Sequence, residues 1–394
     1  MRIAITGIGL TSGLGDGVSA HAAKISAGTP CLSSLGGLLG EESEFSQLSA
    51  SWIKPRDILL SRKWAPASAL LLHVVKQAIT DAGLTENELR DAAVLVGSSR
   101  GNIAGWVSPW PERRPFPLMA ASNSMHGELA SAVSIEFGIR GPWQVISSGC
   151  AASLDALGMA RMMLLQGMVK RAIVVGVELP LLPEVLRAYA KTGVLAKSDV
   201  NDPYSPDTEG FFPGEAGAAM VLEYFSNERE KPYSAVELTG YWCNSDADSP
   251  IGMPVDGSGL RECLQKAGAD LDSEPAIAAV CPHASGTLLH GKAELAALQD
   301  SLPSPSGRSI SLHPLKPFTG HTVGASGVLD CAILTHYMSR RALPDNLPGL
   351  TTPSSDRFTL ESNSLEAKGS TVLKIAVGMG GHNSIVSLRS PSQS

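Results

Sequence analysis

The residues best suited to chemistry are one cysteine and two histidines. Cys150 lies between GPWQVISSG and AAS, where an apolar strand is predicted to pass into a helix. A thiol at a helix start faces unpaired backbone N–H groups, which lower its pKa and favour the thiolate. The N–H of Cys150 itself would also help to bind an oxyanion formed on an attached carbonyl. The pattern predicts a cysteine nucleophile, although a lone cysteine beside small residues is more often buried packing.

His283 and His321 occupy two similar settings in the second half. His283 ends an apolar strand in PHASGTLLHGKAE, and His321 follows a turn in LKPFTGHTVGASG. Ligands collect at strand ends in α/β sheets, so both imidazoles are candidates for acid–base or hydrogen-bonding work. Either histidine alone is more often structural, but with Cys150 they form a set that packing explains poorly. Lys316 and Glu294 are candidate partners in a network beside His321, or else a structural ion pair.

The elements that must position these residues alternate between strand and helix. Continuous apolar runs, typical of strands covered on both faces, are separated by apolar helical stretches. The predicted strands are 3–9, 92–97, 141–150, 171–178, 276–284 and 372–378. The predicted helices are 65–81, 151–167 and 322–338. The second half thus repeats the plan of the first, and two packed halves, taken as 1–235 and 236–394, would bring Cys150 and His321 to a shared centre.

Composition narrows the class of protein. The 394 residues carry a net charge of −7, which disfavours general binding to nucleic acid or anionic membranes. The chain begins directly with a predicted strand and has no apolar run of about eighteen residues, so we expect a cytoplasmic protein without a membrane span. The six cysteines are scattered without a CxxC pair, which predicts neither a metal site nor a disulfide framework.

Together these motifs resemble the β-ketoacyl synthases of the thiolase superfamily, over essentially the whole chain. The motifs that carry the resemblance are ITGIG, GPWQVISSGC, GFFPGEAGA, PHASGTLLHGKAE, LKPFTGH and GMGGHN. They are most similar to the elongating class, which uses a Cys-His-His triad. The resemblance implies a thiolase-like α/β fold with two similar mixed-sheet halves in a five-layer α-β-α-β-α arrangement.

The resemblance also implies a reaction. Cys150 would take an acyl group from a pantetheine thioester, and His283 and His321 would promote decarboxylation of a malonyl unit on acyl carrier protein. The implied activity is that of a β-ketoacyl-[acyl-carrier-protein] synthase, an acyltransferase of fatty acid, aryl polyene or polyketide biosynthesis. No cofactor is expected, because the phosphopantetheine arm arrives with the carrier protein.

Further roles follow from the same resemblance. Ser285 and Thr287 correspond to hydroxyls that bind the pantetheine arm, although they equally suit turn capping. The acidic carrier protein would dock on exposed basic residues of the enzyme. Such residues can equally belong to an ordinary solvated helix face without a docking role. The basic candidates are Arg62 and Lys63, followed by Arg113 and Arg114. A homodimer, or a heterodimer with a second ketosynthase-like chain, is expected.

Several positions depart from the family pattern. Met379 stands where elongating synthases carry a gating Phe, and Trp106 stands where a smaller residue lines the far end of the acyl tunnel. His382 replaces a small hydroxyl residue, and Ala284 replaces a glycine after the first histidine. These departures indicate a reshaped pocket, a short or flat starter group and a member of specialised metabolism.

Three other functions stay open at this point. A chain-length-factor-like partner would shape the tunnel of a second synthase, but such partners usually lack the nucleophile. A thiolase, or a starter-type synthase acting on acyl-coenzyme A, would use another base set; the starter class pairs cysteine with histidine and asparagine, for which Asn383 is the candidate. An acyl-binding module without catalysis is the third.

Overall fold

The structure is a computed structural model that describes residues 2–107, 126–226, 235–271, 277–302, 309–353, 355–362, 365–366 and 369–392, apart from the side chain of Trp106. The strands are β1 (Arg2–Ser12), β2 (Gly15–Asp16), β3 (Ser33–Ser34), β4 (Ser49–Ala50), β5 (Ala93–Gly97), β6 (Trp143–Ile146), β7 (Arg171–Glu178), β8 (Ala216–Phe225), β9 (Glu237–Ser245), β10 (Ile277–Cys281), β11 (Ile310–Leu312), β12 (Phe358–Thr359), β13 (Thr371–Gly378) and β14 (His382–Arg389). The helices are α1 (Val18–Ser26), α2 (Gly36–Leu39), α3 (Pro66–Ala82), α4 (Glu86–Leu89), α5 (Ile103–Val107), α6 (Gly127–Glu136), α7 (Ala152–Leu165), α8 (Pro183–Thr192), α9 (Ser258–Asp270), α10 (Leu288–Ser301), α11 (Lys316–Thr319) and α12 (Ser326–Met338).

Both halves contain the same order of five strands, to which β2 adds beside β1 in the first half and β12 adds beside β11 in the second. The strand order is β6-β5-β7-β8-β1 in the first half and β11-β10-β13-β14-β9 in the second. In each half the pairs among the first three strands are parallel and the remaining two pairs are antiparallel. The two sheets join where Ala4 on β1 pairs with Glu237 on β9. The internal repeat predicted from the sequence is therefore present in the order and direction of the strands.

The elements stack in five layers. Helices α3 and α6 cover the outer face of the first sheet, and α9 and α10 cover the outer face of the second. Helices α7 and α12 lie between the sheets and contact strands of both halves. The predicted five-layer α-β-α-β-α arrangement is confirmed.

The two middle helices are largely buried. Helix α12 is apolar on nearly every side, which suits a helix that is covered all round. Small residues let it approach α7, since a Cβ on Gly327 would lie 2.5 Å from the backbone nitrogen of Leu154. Each middle helix is preceded by a 3₁₀ turn, Gly149–Ala151 or Val323–Ala325, and these turns lie against each other at the centre of the molecule. Within the described ranges, no helix is both long and apolar enough to cross a membrane.

Candidate active site

The nucleophile candidate lies in a tightly packed turn. Cys150 occupies the 3₁₀ turn between β6 and α7, and only 7% of the residue is exposed. Gly149 has a φ of 62°, a left-handed conformation that glycine adopts without strain. The turn packs directly on the loop that joins β13 to β14, because a Cβ on Gly378 would lie 2.7 Å from the carbonyl oxygen of Ser148. This contact fixes the backbone of Cys150 against the glycine-rich loop.

Cys150 is paired with a histidine from the other half. The Nε2 of His321 lies 3.2 Å from the Sγ of Cys150, and its Nδ1 lies 3.3 Å from the Oγ of Ser326. Phe211 packs edge-on against the His321 ring at a centroid distance of 5.0 Å. Burial, together with the charges of Lys316 and Lys374, holds the pKa of His321 well below its usual value. A neutral His321 can accept the thiol proton at Nε2 while its Nδ1–H donates to Ser326.

The prediction of a lowered thiol pKa is wrong. Burial raises the pKa of Cys150 to about 11, and the charges of Lys316 and Arg100 and the N–H of Met379 offset only part of that effect. The loss of hydration around the sulfur therefore outweighs the advantage of a helix start. Cys150 is a thiol at neutral pH, and it needs a base to become a nucleophile. His321 is placed to be that base.

The second histidine presents a hydrogen-bond donor. The ring centroids of His283 and His321 are 5.2 Å apart, and the rings are nearly perpendicular at 88°. The backbone N–H of Val377 donates to His283 Nδ1 at 3.3 Å, so the neutral imidazole carries its proton on Nε2. Burial and the charge of Lys316 hold the pKa of His283 well below its usual value. His283 is thus a neutral donor rather than an acid with a titratable charge.

Lys316 and Glu294 hold the backbone of His283. The Nζ of Lys316 donates to the carbonyl oxygen of His283, and burial beside Lys374 lowers the pKa of Lys316 to about 8. Glu294 accepts the backbone N–H of His283 at 2.6 Å and that of Ala284 at 2.8 Å. The network predicted beside the His321 ring is therefore centred on the loop after β10.

The three site residues also have the spacing of a metal site. The Sγ of Cys150 and one ring nitrogen each of His283 and His321 lie within 4.8 Å of one another. The wide separation of the three residues in the sequence gave no sign of this metal-like spacing. The buried charges of Lys316 and Lys374 create a positive potential, which helps to depress the histidine pKa values. This potential disfavours a divalent cation and favours an anion at the same point.

A cleft of about 260 Å³ leads to Cys150. Ser285, Thr287 and Met379, three of the predicted substrate-binding residues, line this cleft, and the two hydroxyl oxygens lie 3.2 Å apart. Met379 is 37% exposed. The loop residues Ile251 and Met253 also line the cleft. The cleft joins an apolar entrance to the polar triad.

The comparison with family models decides the family. Residues 1–227 match the model for the N-terminal domain of β-ketoacyl synthases, and residues 235–349 match the model for the C-terminal domain. The chain belongs to the β-ketoacyl synthase family. The predicted enzyme class, an acyltransferase of the β-ketoacyl synthase type, is confirmed.

Individual relatives agree with this assignment. The synthase is 26% identical to the putative polyketide β-ketoacyl synthase 1 of Streptomyces cyaneus, over 99% of this chain and 98% of the relative. It is also 26% identical to the 3-oxoacyl-[acyl-carrier-protein] synthase 2 of Rhizobium meliloti (strain 1021), over 98% of each chain. Its fold is similar to a type II polyketide ketosynthase solved in complex with its acyl-carrier protein, with a TM-score of 0.82, 23% identity and 99% coverage of both chains.

Not every residue singled out in the sequence reaches the cleft of the synthase. Asn383 is buried in a separate network, where its Nδ2 donates to Asp246 at 2.6 Å and to Asn244 at 3.1 Å. It is not among the residues that line the cleft around Cys150. The arrangement in which Asn383 would mimic the asparagine of a starter-type synthase is therefore not formed.

The basic docking candidates lie on the surface. Lys63 forms an ion pair with Glu136 at 2.6 Å and lies over the ring of Trp64, so its charge is already engaged. Arg62 is exposed. The side chain of Trp106 and the residues Arg113 and Arg114 lie outside the described part of the synthase.

Two functional neighbours were not predicted from the sequence. His290 lines the cleft, packs against the His283 ring at 4.6 Å and lies 3.4 Å from the carboxylate of Glu294. Burial alone would raise the pKa of Glu294, but the contact with His290 and the two backbone N–H groups lower it. The i,i+4 spacing of His290 and Glu294 was a signal for this pair. Phe211, in contrast, reaches His321 from a loop for which no pattern predicts that contact.

Proposed function

We propose that this β-ketoacyl synthase holds an acyl group as a thioester on Cys150 and condenses it with a malonyl unit presented by acyl carrier protein. The observation that carries the proposal is the 3.2 Å approach of His321 Nε2 to the Cys150 sulfur, with His283 beside both. A buried thiol, a neutral base beside it and a neutral donor at the end of one cleft are the parts that this reaction needs.

The first step is acyl transfer. The Cys150 thiol gives its proton to His321 Nε2 as the sulfur attacks the carbonyl carbon of the incoming thioester. The backbone N–H of Met379, which points at the sulfur, and that of Cys150 stabilise the oxyanion. The tetrahedral intermediate then collapses, its bond to the pantetheine sulfur breaks, and the departing thiolate takes the proton back from His321. Cys150 is left acylated and His321 neutral.

The second step is decarboxylative condensation. The malonyl carboxylate leaves as carbon dioxide, and its bonding electrons form an enolate whose oxygen accepts a hydrogen bond from His283 Nε2–H. His321 donates the second hydrogen bond after its proton has moved from Nδ1 to Nε2 by exchange with solvent. Ser326 suits both states of His321, since its hydroxyl accepts from Nδ1–H before acylation and donates to Nδ1 when Nε2 carries the proton. The enolate carbon attacks the Cys150 thioester and the carbon–sulfur bond breaks. The departing Cys150 thiolate takes up one proton from solvent, and the β-ketoacyl product stays on the carrier protein.

The substrate is proposed to enter as a carrier-bound thioester. Ser285 and Thr287 place two hydroxyls in the cleft, where they can bind the amides of a phosphopantetheine arm. Because that arm belongs to the carrier protein, the proposed chemistry requires no cofactor held by the enzyme. Arg62, exposed on the surface, is retained as the docking candidate in preference to Lys63, which is paired with Glu136.

We propose a short or flat acyl group and a role in specialised metabolism. Met379 gives the cleft a softer gate than an aromatic ring would, because its side chain is unbranched and adaptable. Leu186, Tyr189 and Phe211 pack in one hydrophobic cluster with Cys150, so apolar side chains surround the position of the acyl group. The sequence position of Trp106, where the family resemblance implies a smaller residue at the far end of the acyl tunnel, supports the same proposal.

The assembly is proposed to be a dimer. Among the described residues β6 is the last strand at its end of the sheet, and its Trp143 is 45% exposed, as expected of an edge that pairs with a second chain. Size-exclusion chromatography with light scattering distinguishes a homodimer from a monomer that awaits a different ketosynthase-like chain. The repeated strand order supports the division at 1–235 and 236–394, and six free thiols suit a cytoplasmic location.

The test is formation of a covalent intermediate. Incubation with acyl carrier proteins bearing different acyl groups should add the mass of the acyl group to the wild type and to Cys243→Ala, the matched control for an exposed cysteine. Cys150→Ala should show no adduct, because the thioester cannot form. Failure of every donor to label the wild type would overturn the proposal.

The rival functions give different results. A starter-type synthase would be labelled faster by acyl-coenzyme A than by the carrier-bound acyl group. An acyl-binding module would bind without a covalent adduct. Malonyl carrier protein added to the acylated enzyme should yield a β-ketoacyl product, and His283→Ala or His321→Ala should lose this product by at least about a hundredfold.

A further inference from the structure

An ion pair that the sequence patterns do not predict lies beneath the nucleophile. The Nε2 of His382, the first residue of β14, lies 2.8 Å from the Oδ2 of Asp155 in the first turns of α7. Asp155 is 4% exposed, and His382 is partly buried.

Asp155 is the centre of the contact. The Oγ of Ser148, two residues before Cys150, donates to the same Oδ2 that faces His382. The hydroxyl of Tyr241 on β9 donates to the other oxygen, Oδ1, at 3.0 Å. One carboxylate therefore joins the nucleophile turn to the first residue of β14 and to a strand of the second sheet.

The two loops that Asp155 joins form the immediate surroundings of the sulfur. The nucleophile turn carries Cys150, and the loop before His382 carries Met379, whose backbone N–H points at the sulfur. Their backbones are in direct contact, since a Cβ on Gly378 would lie 2.7 Å from the carbonyl oxygen of Ser148. A small shift of one loop against the other would move the N–H of Met379 away from the oxyanion.

We propose that Asp155 and His382 are positioning residues that hold the Met379 N–H against Cys150 for acyl transfer. The inference rests on the proposed function, because it concerns the rate at which Cys150 is acylated. Neither residue lines the cleft, so the pair acts through the two loops and not through the substrate. Ser148 transmits the restraint on one side and the short chain from Met379 to His382 transmits it on the other.

The pair requires a charged histidine. The contact with Asp155 raises the pKa of His382, although partial burial opposes this, and Asp246 from the loop after β9 acts in the same direction as Asp155. Tyr241 faces Asp155 as a neutral donor, since burial raises the pKa of its hydroxyl. Because the folded pKa is raised, the ion pair is complete below the ordinary histidine value and is lost as the pH rises through the folded value.

The test is the rate of acylation in a double-mutant cycle. His382→Asn and Asp155→Asn should each slow acylation by the carrier thioester that labels the wild type fastest, by roughly tenfold or more. The double variant should be no slower than the slower single variant. The advantage of the wild type over His382→Asn should shrink between about pH 6 and about pH 9, which a purely structural role would not produce.

Matched variants complete the experiment. His73→Asn breaks a histidine–carboxylate pair of the same 2.8 Å length, formed with Asp16 on the outer layer, and should leave the acylation rate unchanged. Tyr241→Phe removes only the hydrogen bond to Oδ1 and should slow acylation by a smaller factor, so it serves where a charge variant fails to fold. Equal rates for wild type, His382→Asn and Tyr241→Phe would overturn the inference and leave the proposed function intact. The absence of any adduct on the wild type would overturn the proposed function as well.

Discussion

At the scale of single residues, backbone strain lies beside both histidines. Ala284 follows His283 with a φ of 39°, and Val323 lies two residues after His321 with a φ of 44°. Residues other than glycine rarely adopt this left-handed conformation, and for a β-branched residue it is a clear outlier. Strain of this kind persists where the surrounding contacts fix the backbone, as Glu294 does through the N–H of Ala284.

Ala284→Gly should therefore raise the free energy of unfolding by about 1 kcal/mol, because glycine removes the steric cost of a positive φ. Urea unfolding of the two proteins measures the difference. Ala297→Gly is the matched control, since Ala297 is fully buried in α10 and the same change there should lower stability by about 1 kcal/mol or more. An Ala284→Gly protein that is destabilised as much as the control would contradict the expectation.

The types of the site residues could be predicted from the sequence, but their protonation could not. Cys150, His283 and His321 are recognisable from their glycine-flanked positions at strand and helix ends. The raised pKa of Cys150 depends on burial by residues far apart in the chain, and a helix-start argument contains no information about that burial. The contact between Lys316 and the carbonyl of His283 could not be predicted either, because it also joins residues that are far apart in the chain.

At the scale of elements, α7 and α12 set the distance between the two halves of the site. Helix α7 follows the turn that holds Cys150, and α12 follows the turn that comes just after His321. Gly327 lets them touch, because any side chain there would meet the backbone of Leu154. The Cys150–His321 distance therefore depends on a glycine outside the cleft.

Gly327→Ala should separate these helices. The added methyl group would lie 2.5 Å from the nitrogen and 2.8 Å from the Cβ of Leu154, and such overpacking costs about 1–3 kcal/mol. We expect both a lower unfolding free energy and slower acylation of Cys150. Gly268→Ala in α9 is the control, because its nearest neighbour, the carbonyl oxygen of Ser301, lies 3.8 Å away. The control should gain up to about 1 kcal/mol from helix propensity, and an equal gain in both variants would refute the packing argument.

The long elements could be predicted closely, and the short ones could not. The strand at 171–178 and the helix near 65–81 have strong apolar patterns and agree with β7 and α3 to within a residue or two. The strand predicted at 141–150 ends as β6 at Ile146, because the chain must leave the sheet to bring Cys150 into its turn. Strands of two residues, such as β3 and β4, are too short to leave a periodic signal.

At the scale of the whole molecule, several buried histidines remain neutral in the folded state. His21 and His313 lie in different halves, and burial lowers the pKa of each to about 4. His283 and His321 are shifted in the same direction. The folded protein therefore resists protonation at points spread across both halves, whereas the unfolded chain takes up protons below about pH 6.5.

Acidification through the histidine range should consequently destabilise the fold, with one opposing contribution from Glu178, whose pKa burial raises to about 7 and which therefore takes up a proton in the folded state. The stabilisation is complete above the unfolded histidine pKa and is lost as the pH falls below it towards the folded value, so the unfolding free energy should drop between pH 7 and pH 5. For a folded pKa of about 4, each of His21 and His313 contributes about 2 kcal/mol to this loss. Urea unfolding at the two pH values measures the total.

His21→Gln isolates one contribution. His21 lies 2.8 Å from the hydroxyl of Ser12 and 2.9 Å from the carbonyl oxygen of Gly17, so a glutamine amide can replace both contacts without taking up a proton. The loss of stability between pH 7 and pH 5 should become smaller by about 2 kcal/mol in this variant. Ala23→Gln, exposed on the same helix α1, should keep the pH dependence of the wild type. An unchanged pH dependence in His21→Gln would show that the acid sensitivity arises elsewhere in the molecule.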